Sequence, residues 1–364
     1  MSTSTQGFGA WRVVARQPES AIITSFTLAP ADGSSRLAFR PGQFLTVRLA
    51  LADGATLLRN YSFSAAPDDP CQVRISVKRE PAPFDLPHLP AGLGSNHLHD
   101  AINVGDVLEI AGPSGTFVLD EVSPRPVLLL SGGVGITPMF SMLQHLSRQS
   151  NRPVHFIHAC ENGAVHAFRE AAQALADARP GIAVHFCYRN PGPDDHGRYH
   201  SQGLISQQTL QRLLPLDDYD VYLCGPRAFM QANWRLLRSL GIARERIHYE
   251  FFGPATVLEG DETAAHPLAQ PVPTREEGGL EVCFLPSGVR VAWDKNCHSL
   301  LELAEQAGLA PAYNCRAGLC NTCQVPLQAG TVEYLEEPLE PPAHGDILLC
   351  CTRPTSPVTV RLST

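Results

Sequence analysis

No stretch of the 364-residue chain approaches the roughly 20 consecutive apolar residues that a membrane helix needs. The opening residues MSTSTQGFGAW lack the positive and apolar regions of a secretory leader, so a cytoplasmic protein is expected. Basic charge is also scarce: 28 Lys and Arg stand against 36 Asp and Glu, a formal charge of −8. That balance argues against a nucleic-acid or anionic-membrane surface and suits a redox protein that steers toward a basic partner. The G-x-G-x-x-G fingerprint and a P-loop lysine are both missing, which disfavours an NTPase. No repeat of fixed period occurs, so a solenoid is not indicated. Ordinary proportions of apolar (44%) and charged (18%) residues fit a globular chain with room for two or three domains.

Cysteine, by contrast, is plentiful. Eleven are present, and the spacing of some is metal-like, which points to a reducing cytosol rather than a disulfide framework. Cys315, Cys320 and Cys323 form C-x4-C-x2-C, and a 26-residue gap leads to Cys350, with Cys351 adjacent. Four thiolates so spaced fit a plant-type [2Fe–2S] cluster. Arg316-Ala317-Gly318-Leu319 and Asn321-Thr322 fill the intervals, and Gly318 permits a backbone turn that a side chain would forbid. Backbone N–H groups in such a loop can point at the sulfurs and stabilise their charge. Zinc is the bland alternative, but zinc sites favour paired C-x2-C units and only one is present. Cys71, Cys160, Cys187, Cys283 and Cys297 read as small core or surface residues.

The chain changes rhythm three times. Residues 1–120 show short strand-like runs (Ala21–Leu28, Gln43–Leu49, Val73–Val77, Val107–Ile110) broken by turns, which predicts an antiparallel β-barrel. The Pro-rich PAPFDLPHLP reads as a surface loop. Residues 121–255 alternate apolar runs with helical stretches, Met139–Leu146 and Ala164–Ala178 among them, which predicts an α/β doubly wound parallel sheet. Residues 256–278 have no periodicity and read as a linker. Residues 279–364 open with two strands and a helix that Ser299 caps, with Glu302 completing a capping box.

Within the first segment, Arg59-Asn60-Tyr61-Ser62 is expected at the start of a strand. An arginine can clamp a pyrophosphate, a tyrosine can lie on a flavin ring, and a serine can bond flavin N5. Gly92-Leu93-Gly94-Ser95-Asn96 reads as a turn opening a helix whose N-terminus suits an anion. Taken alone, each motif is better read as a barrel strand or an ordinary capped helix. In the second segment an apolar strand runs into Ser131-Gly132-Gly133-Val134-Gly135-Ile136-Thr137-Pro138, where glycines admit a pyrophosphate and Pro138 suits a first helical turn. Val221-Tyr222-Leu223-Cys224-Gly225-Pro226 is a second strand ending in a tight turn, with Cys224 at the sheet's carboxyl edge.

In this order RNYS, GLGSNHLHD, GDVLEIAGPSGTF, SGGVGITPM, YLCGPRAFM and HYEFFGP resemble the ferredoxin–NADP reductase family. The likeness is to the reductase half of flavohaemoglobins and to reductases with a C-terminal ferredoxin, and it omits the linker and residues 81–91. It implies a six-stranded flavin barrel, a nucleotide domain and a β-grasp ferredoxin domain. Arg59, Tyr61 and Ser62 then hold flavin, with Gly92 and Ser95 in its phosphate turn. Gly132, Gly133, Gly135, Ile136 and Thr137 line the nicotinamide dinucleotide site, which Cys224, Gly225 and Pro226 close. Glu250 and Phe252 face the flavin, and Ser62, Cys224 and Glu250 form the catalytic set. ILLCCTRPTSPVTV is similar to the closing strand of plant-type ferredoxins, which selects Cys350 as the fourth ligand beside Cys315, Cys320 and Cys323. Only the reductase half is matched, so no haem activity is implied.

HYEFFGP favours FAD over FMN. A 2′-phosphate would want arginine beyond Tyr188; Arg189 and Arg198 qualify, but Asp194 and Asp195 lie between them, which tilts the balance from NADPH to NADH. The expected activity is an NAD(P)H:acceptor oxidoreductase: hydride to flavin, then single electrons through the cluster to a separate protein. An oxygenase component is the commonest acceptor in this architecture. Similar chains fused to MOSC modules make a molybdenum-cofactor enzyme the alternative acceptor, and a redox sensor without turnover is a further alternative. Glu333, Glu336, Glu337 and Glu340 either dock a basic acceptor or form a solvated loop.

Overall fold

The computed structural model describes residues 8–33, 37–50, 56–68, 71–82, 91–250, 252, 280–294, 297–309, 311–313, 318, 321–335, 338 and 341–362. The expected linker 256–278 and residues 83–90 of the Pro-rich loop lie outside these. The chain divides into two compact units, Met1–Phe252 and Gly253–Thr364.

The first unit begins with β1 (Gly9–Pro18), β2 (Ile23–Pro30), β3 (Phe44–Ala50), β4 (Thr56–Ser62), β5 (Val73–Lys78), α1 (Leu93–Ala101) and β6 (Val107–Ser114). Its six strands are antiparallel in the order β4-β3-β6-β1-β2-β5. A bridge between Phe63 and Ile75 joins the two outer strands and closes the sheet into a barrel. Trp11 and Val13 on β1 point inward while Arg12 and Val14 face out, the period-2 pattern of a one-sided strand. Inside, Phe26, Leu28, Leu45, Val47, Phe63 and Ile75 complete the core.

The same unit continues with β7 (Val127–Gly132), α2 (Ile136–Gln149), β8 (Val154–Cys160), α3 (Arg169–Ala178), β9 (Ile182–Tyr188), β10 (Ser201–Gln202), α4 (Gln207–Leu213), β11 (Asp220–Cys224), α5 (Arg227–Ser239) and β12 (Ile247–Glu250). All six strands are parallel, ordered β10-β9-β8-β7-β11-β12. Succession runs outward from β7 through β8 and β9, then restarts on its other side with β11. The crevice above β7 and β11 is therefore the switch point where doubly wound sheets take ligands. Every residue of β7 is buried, as a central strand covered on both faces requires.

Two local readings change. RNYS ends β4 rather than starting a strand, because the apolar residues just before it already pair with β3. Helix α3 starts at Arg169 rather than Ala164. Asn162 caps a short 3₁₀ turn at Gly163–Val165, and Phe168 takes a left-handed φ of 59°, so the helix cannot begin sooner.

A buried ion pair anchors the start of β11. Arg152 and Asp220 are 8% and 2% exposed and meet at 2.7 Å, while Arg152 also donates to the carbonyls of Arg125 and Asp120. Replacing Arg152 with methionine takes the closest cation from the Asp220 carboxylate and leaves it Arg246 at 3.5 Å. We expect a loss of about 3 kcal/mol, read as a lower denaturation midpoint. An unchanged midpoint would mean the pair contributes nothing.

The second unit contains β13 (Glu281–Leu285), β14 (Val289–Ala292), α6 (Leu300–Gln306), β15 (Gln324–Ala329), β16 (Val332–Tyr334), β17 (Asp346–Leu348), β18 (Thr352–Pro354) and β19 (Val358–Arg361). Its main sheet runs β14-β13-β19-β15-β17, with β13 and β19 parallel and the other pairs antiparallel; β16 and β18 form a separate pair. Helix α6 places Leu300, Leu301, Leu303 and Ala304 in one core with Val282, Phe284, Val358 and Val360. Ser299 Oγ accepts from the Glu302 N–H, and Glu302 in turn accepts from the His298 N–H at 2.6 Å. Among the described residues no helix is long and apolar enough to cross a membrane.

Candidate functional site

The last residues of β4 and the first turn of α1 come together. Asn60 faces β3, where its Oδ1 accepts from Thr46 Oγ1 at 2.9 Å. Tyr61 is partly buried, and burial pushes its phenol up while Arg59 opposes the shift. Ser62 is buried. Gly92 caps α1 with no side-chain acceptor, and Ser95 Oγ folds back to the Gly92 carbonyl at 3.1 Å. A Cβ on Gly94 would stand 2.9 Å from Arg59 Cγ, so the helix start lies directly against the arginine. Guanidinium and helix N-terminus are both donors to a pyrophosphate, so the residues present fit the flavin that the motifs imply.

Across the switch point the glycines of two turns pack backbone to backbone. Gly133 has a φ of 52°, which turns the chain from β7 toward α2. A Cβ on Gly135 would lie 2.3 Å from the Cys224 carbonyl oxygen and 2.7 Å from Gly225 N. On Gly132 and Gly225 it would strike the Phe229 ring, at 2.8 and 2.7 Å. Ile136 and Thr137 are buried in the first turn of α2, with Thr137 Oγ1 donating to the Val134 carbonyl at 3.0 Å, and Pro138 follows in the same turn. Pro226 is the N-cap of α5. The result is a smooth backbone floor at two helix starts, which fits a dinucleotide.

Register then aligns a row along the carboxyl rim of the sheet. Glu250 pairs with Cys224, Cys224 with Ser131, and Ser131 with His158, and partners in register share a face. Ser131 Oγ and His158 Nδ1 are 2.8 Å apart. At the other end Ser62 Oγ donates to Glu250 Oε2 at 3.4 Å, joining barrel and nucleotide sheet. Burial raises the Glu250 carboxyl to about 8, against the Ser62 hydrogen bond. Burial and the nearby Glu250 push the Cys224 thiol well up, while burial takes His158 down to about 3. Of these three, only Glu250 changes charge near pH 8. Phe252 lies exposed just past the rim. Ser131 and Phe229 lie in the quoted motifs SGGVGITPM and YLCGPRAFM without a role assigned there, and His158 lies outside every motif; parallel register and the glycine contacts bring all three to the site.

In the second unit, Cys323 and Cys350 are buried, whereas Cys315 and Cys320 lie outside the described residues. Gly318 has a φ of 66°, and its N–H donates to Cys350 Sγ at 3.4 Å. A Cβ there would approach Cys351 Sγ to 3.1 Å, so glycine serves both the turn and the packing. An amide N–H aimed at sulfur favours a thiolate, as a cluster ligand must be. Cys351 Sγ lies 3.8 Å from the Leu348 carbonyl. These residues fit the cluster that the spacing implies. Among the described residues no three His, Cys, Asp or Glu side chains gather to hold a metal. Of the remaining cysteines, Cys71 is exposed, Cys160 partly buried, and Cys187, Cys283 and Cys297 buried.

Comparison with known proteins identifies the domains that carry these residues. Residues 11–119 match the family described as oxidoreductase FAD-binding domain, 129–234 the oxidoreductase NAD-binding domain, and 284–355 the 2Fe-2S iron-sulfur cluster binding domain. The chain is 47% identical over 255 residues to a flavohemoprotein of Bordetella pertussis, covering 69% of this chain and 62% of that protein. It thus spans about six-tenths of the length of the curated relatives it matches. The solved FAD/NAD-binding domain of nitric oxide dioxygenase from Vibrio cholerae O1 biovar El Tor superposes with a TM-score of 0.61 at 37% identity, over 68% of this chain and 100% of that one. Phthalate dioxygenase reductase shares the fold across 98% of both chains, with a TM-score of 0.57 at 23% identity.

Proposed function

Because the chain belongs to the ferredoxin–NADP reductase family of NAD(P)H-dependent flavin oxidoreductases, with FAD-binding, NAD-binding and C-terminal [2Fe–2S] domains in one polypeptide, we propose that it delivers electrons one at a time from NAD(P)H to a separate acceptor protein. Bound FAD would supply hydride-accepting chemistry toward reduced nicotinamide, and a bound cluster would supply one-electron carriage. The observation that carries the reading is the Ser62–Glu250 contact at 3.4 Å, which brings the flavin strand and the nucleotide rim to one carboxyl.

Arg59 and the first turn of α1, with Gly92 and Ser95, would hold the flavin phosphates. Tyr61 would offer its ring and Ser62 its hydroxyl to the flavin head, with Phe252 on the nucleotide side. Gly132, Gly133, Gly135, Ile136 and Thr137, facing Cys224, Gly225 and Pro226, would seat the dinucleotide. Glu250 keeps its proton at neutral pH and can hold or pass one through Ser62. Cys315, Cys320, Cys323 and Cys350 would hold the cluster. An oxygenase component is the acceptor we favour; a molybdenum-cofactor enzyme is the alternative.

The test is anaerobic mixing of the reconstituted full chain with NADH or NADPH, following flavin bleaching, the cluster's EPR signal and cytochrome c reduction. Reduction of both centres with continued turnover supports the reading. Bound flavin that is never reduced would instead identify a non-turnover sensor. Reduced flavin beside an oxidised cluster would break the proposed route.

A pH profile examines Glu250 directly. The rate of flavin reduction should fall as pH rises through about 8, because the raised carboxyl ionises there. Glu250→Gln should be slower by about tenfold to a hundredfold and lose that inflection. An inflection that survives the substitution would assign the titration elsewhere.

A further inference from the structure

We propose that Ser141 and Gln144 are positioning residues for hydride transfer: they fasten α2, the helix that begins at the pyrophosphate floor, to the backbone just beyond Ser62. This rests on the reductase reading above and adds residues to its machinery.

Thr137, Ser141 and Gln144 follow one another at i+4 and i+3 spacing, so they share one face of α2. Thr137 belongs to the floor at the first turn. Ser141 is fully buried and donates its hydroxyl to the Ala65 carbonyl at 2.7 Å. Gln144 Oε1 accepts from the Ala66 N–H at 3.0 Å. Ala65 and Ala66 lie in the segment that continues β4 past the flavin serine. One helix thus touches the dinucleotide floor at its start and the flavin strand's extension at its middle. An apolar contact is non-directional and can slide. Two hydrogen bonds of opposite polarity to neighbouring residues fix distance and register together.

The gripped segment is also held from behind. The Ser64 N–H donates to the Arg74 carbonyl at 2.8 Å, and the Arg74 guanidinium donates back to the Ser64 carbonyl. Ser64 Oγ meets Ser76 Oγ at 2.7 Å, Ser76 meets Ser25 at 2.7 Å, and Ser25 donates to Glu19 at 2.6 Å. Arg74 lies 4.9 Å from the centroid of the Phe168 ring, which stacks at 4.4 Å on Phe140 of α2. Phe168 keeps its left-handed φ of 59° because this packing over-determines it. The barrel side of the contact is therefore stiff, so releasing Ser141 and Gln144 moves α2 relative to Ser62 and Glu250 rather than deforming the strand. Hydride transfer is sensitive to such movement, a misplacement of about 1 Å costing on the order of a hundredfold in rate. Dinucleotide affinity depends on the floor itself and is spared.

Stopped-flow reduction of the flavin-loaded full chain by NADH or NADPH, paired with calorimetric titration of ADP-ribose, tests this. Ser141→Ala combined with Gln144→Leu should lower the limiting rate of flavin reduction by about tenfold to a hundredfold. ADP-ribose affinity and flavin content should stay within about twofold of the parent. A readout without turnover uses the tetrahydro form of the nucleotide, which cannot give up hydride. The long-wavelength absorbance of its nicotinamide stacked on flavin should fall to about half or less in the double variant. Gln144 is only partly buried, so Gln144→Leu should fold as a single variant. Gln144→Glu, which keeps an acceptor for the Ala66 N–H, should recover most of the rate that Gln144→Leu loses. An unchanged limiting rate and absorbance overturn the inference. So does a parallel fall of rate, ADP-ribose affinity and melting temperature, the mark of a purely structural role. A parent protein whose flavin is never reduced overturns the proposed function, and this inference falls with it.

Discussion

Changing Cys350 to serine is expected to strip the second unit of its iron and acid-labile sulfide. Cytochrome c reduction should then fall by at least about a hundredfold, while flavin reduction by pyridine nucleotide in the first unit persists. Cys323→Ser should behave alike, since both sulfurs lie buried in the ferredoxin core. The informative partner is Cys351→Ser. Its neighbour receives the Gly318 N–H at 3.4 Å, whereas Cys351 points its sulfur at the Leu348 carbonyl. Cys351→Ser should therefore keep the EPR signal and most of the cytochrome c activity. The reverse pattern, with the cluster lost from Cys351→Ser and kept in Cys350→Ser, would reassign the fourth ligand.

The second large effect belongs to Gly135. Its position leaves no room for a side chain, because the Cys224 carbonyl would meet the new Cβ at 2.3 Å and backbone cannot rotate away as a side chain can. Gly135→Ala must push the β7 turn off the end of β11. We expect a stability loss of about 1–3 kcal/mol, with nucleotide affinity falling by about tenfold or more as the pyrophosphate floor opens. Gly133→Ala is the control. Its Cβ would meet nothing within 4 Å, and only its φ of 52° opposes the change, so the cost should be about 1 kcal/mol. Melting curves and nucleotide titrations of the two variants separate steric blockage from backbone strain. A Gly135→Ala protein that melts and binds like its parent would sink the argument.

The motifs were legible because each is a short run whose chemistry depends on its immediate neighbours. RNYS, the GLGS turn and SGGVGITP lie on β4, α1 and the β7–α2 turn. The start of α3 was not legible, since a left-handed Phe168 overrides a helical composition that begins five residues earlier. The direction of RNYS within its strand was also hidden. Which end of an apolar run pairs first is settled by β3, not by the run itself.

From residue order alone come three things: a thiolate spacing that suits one small cluster, two glycine turns after apolar strands, and the modular plan in which they occur. Those features are local, and local sterics and ligand reach specify them. Tertiary structure alone decided the Ser62–Glu250 hydrogen bond across 188 residues, the place of Ser131 between Cys224 and His158, and the Gly318 amide that meets Cys350 Sγ. Each of these depends on strand register or on the approach of distant backbone, and register is set by the packing of the whole sheet.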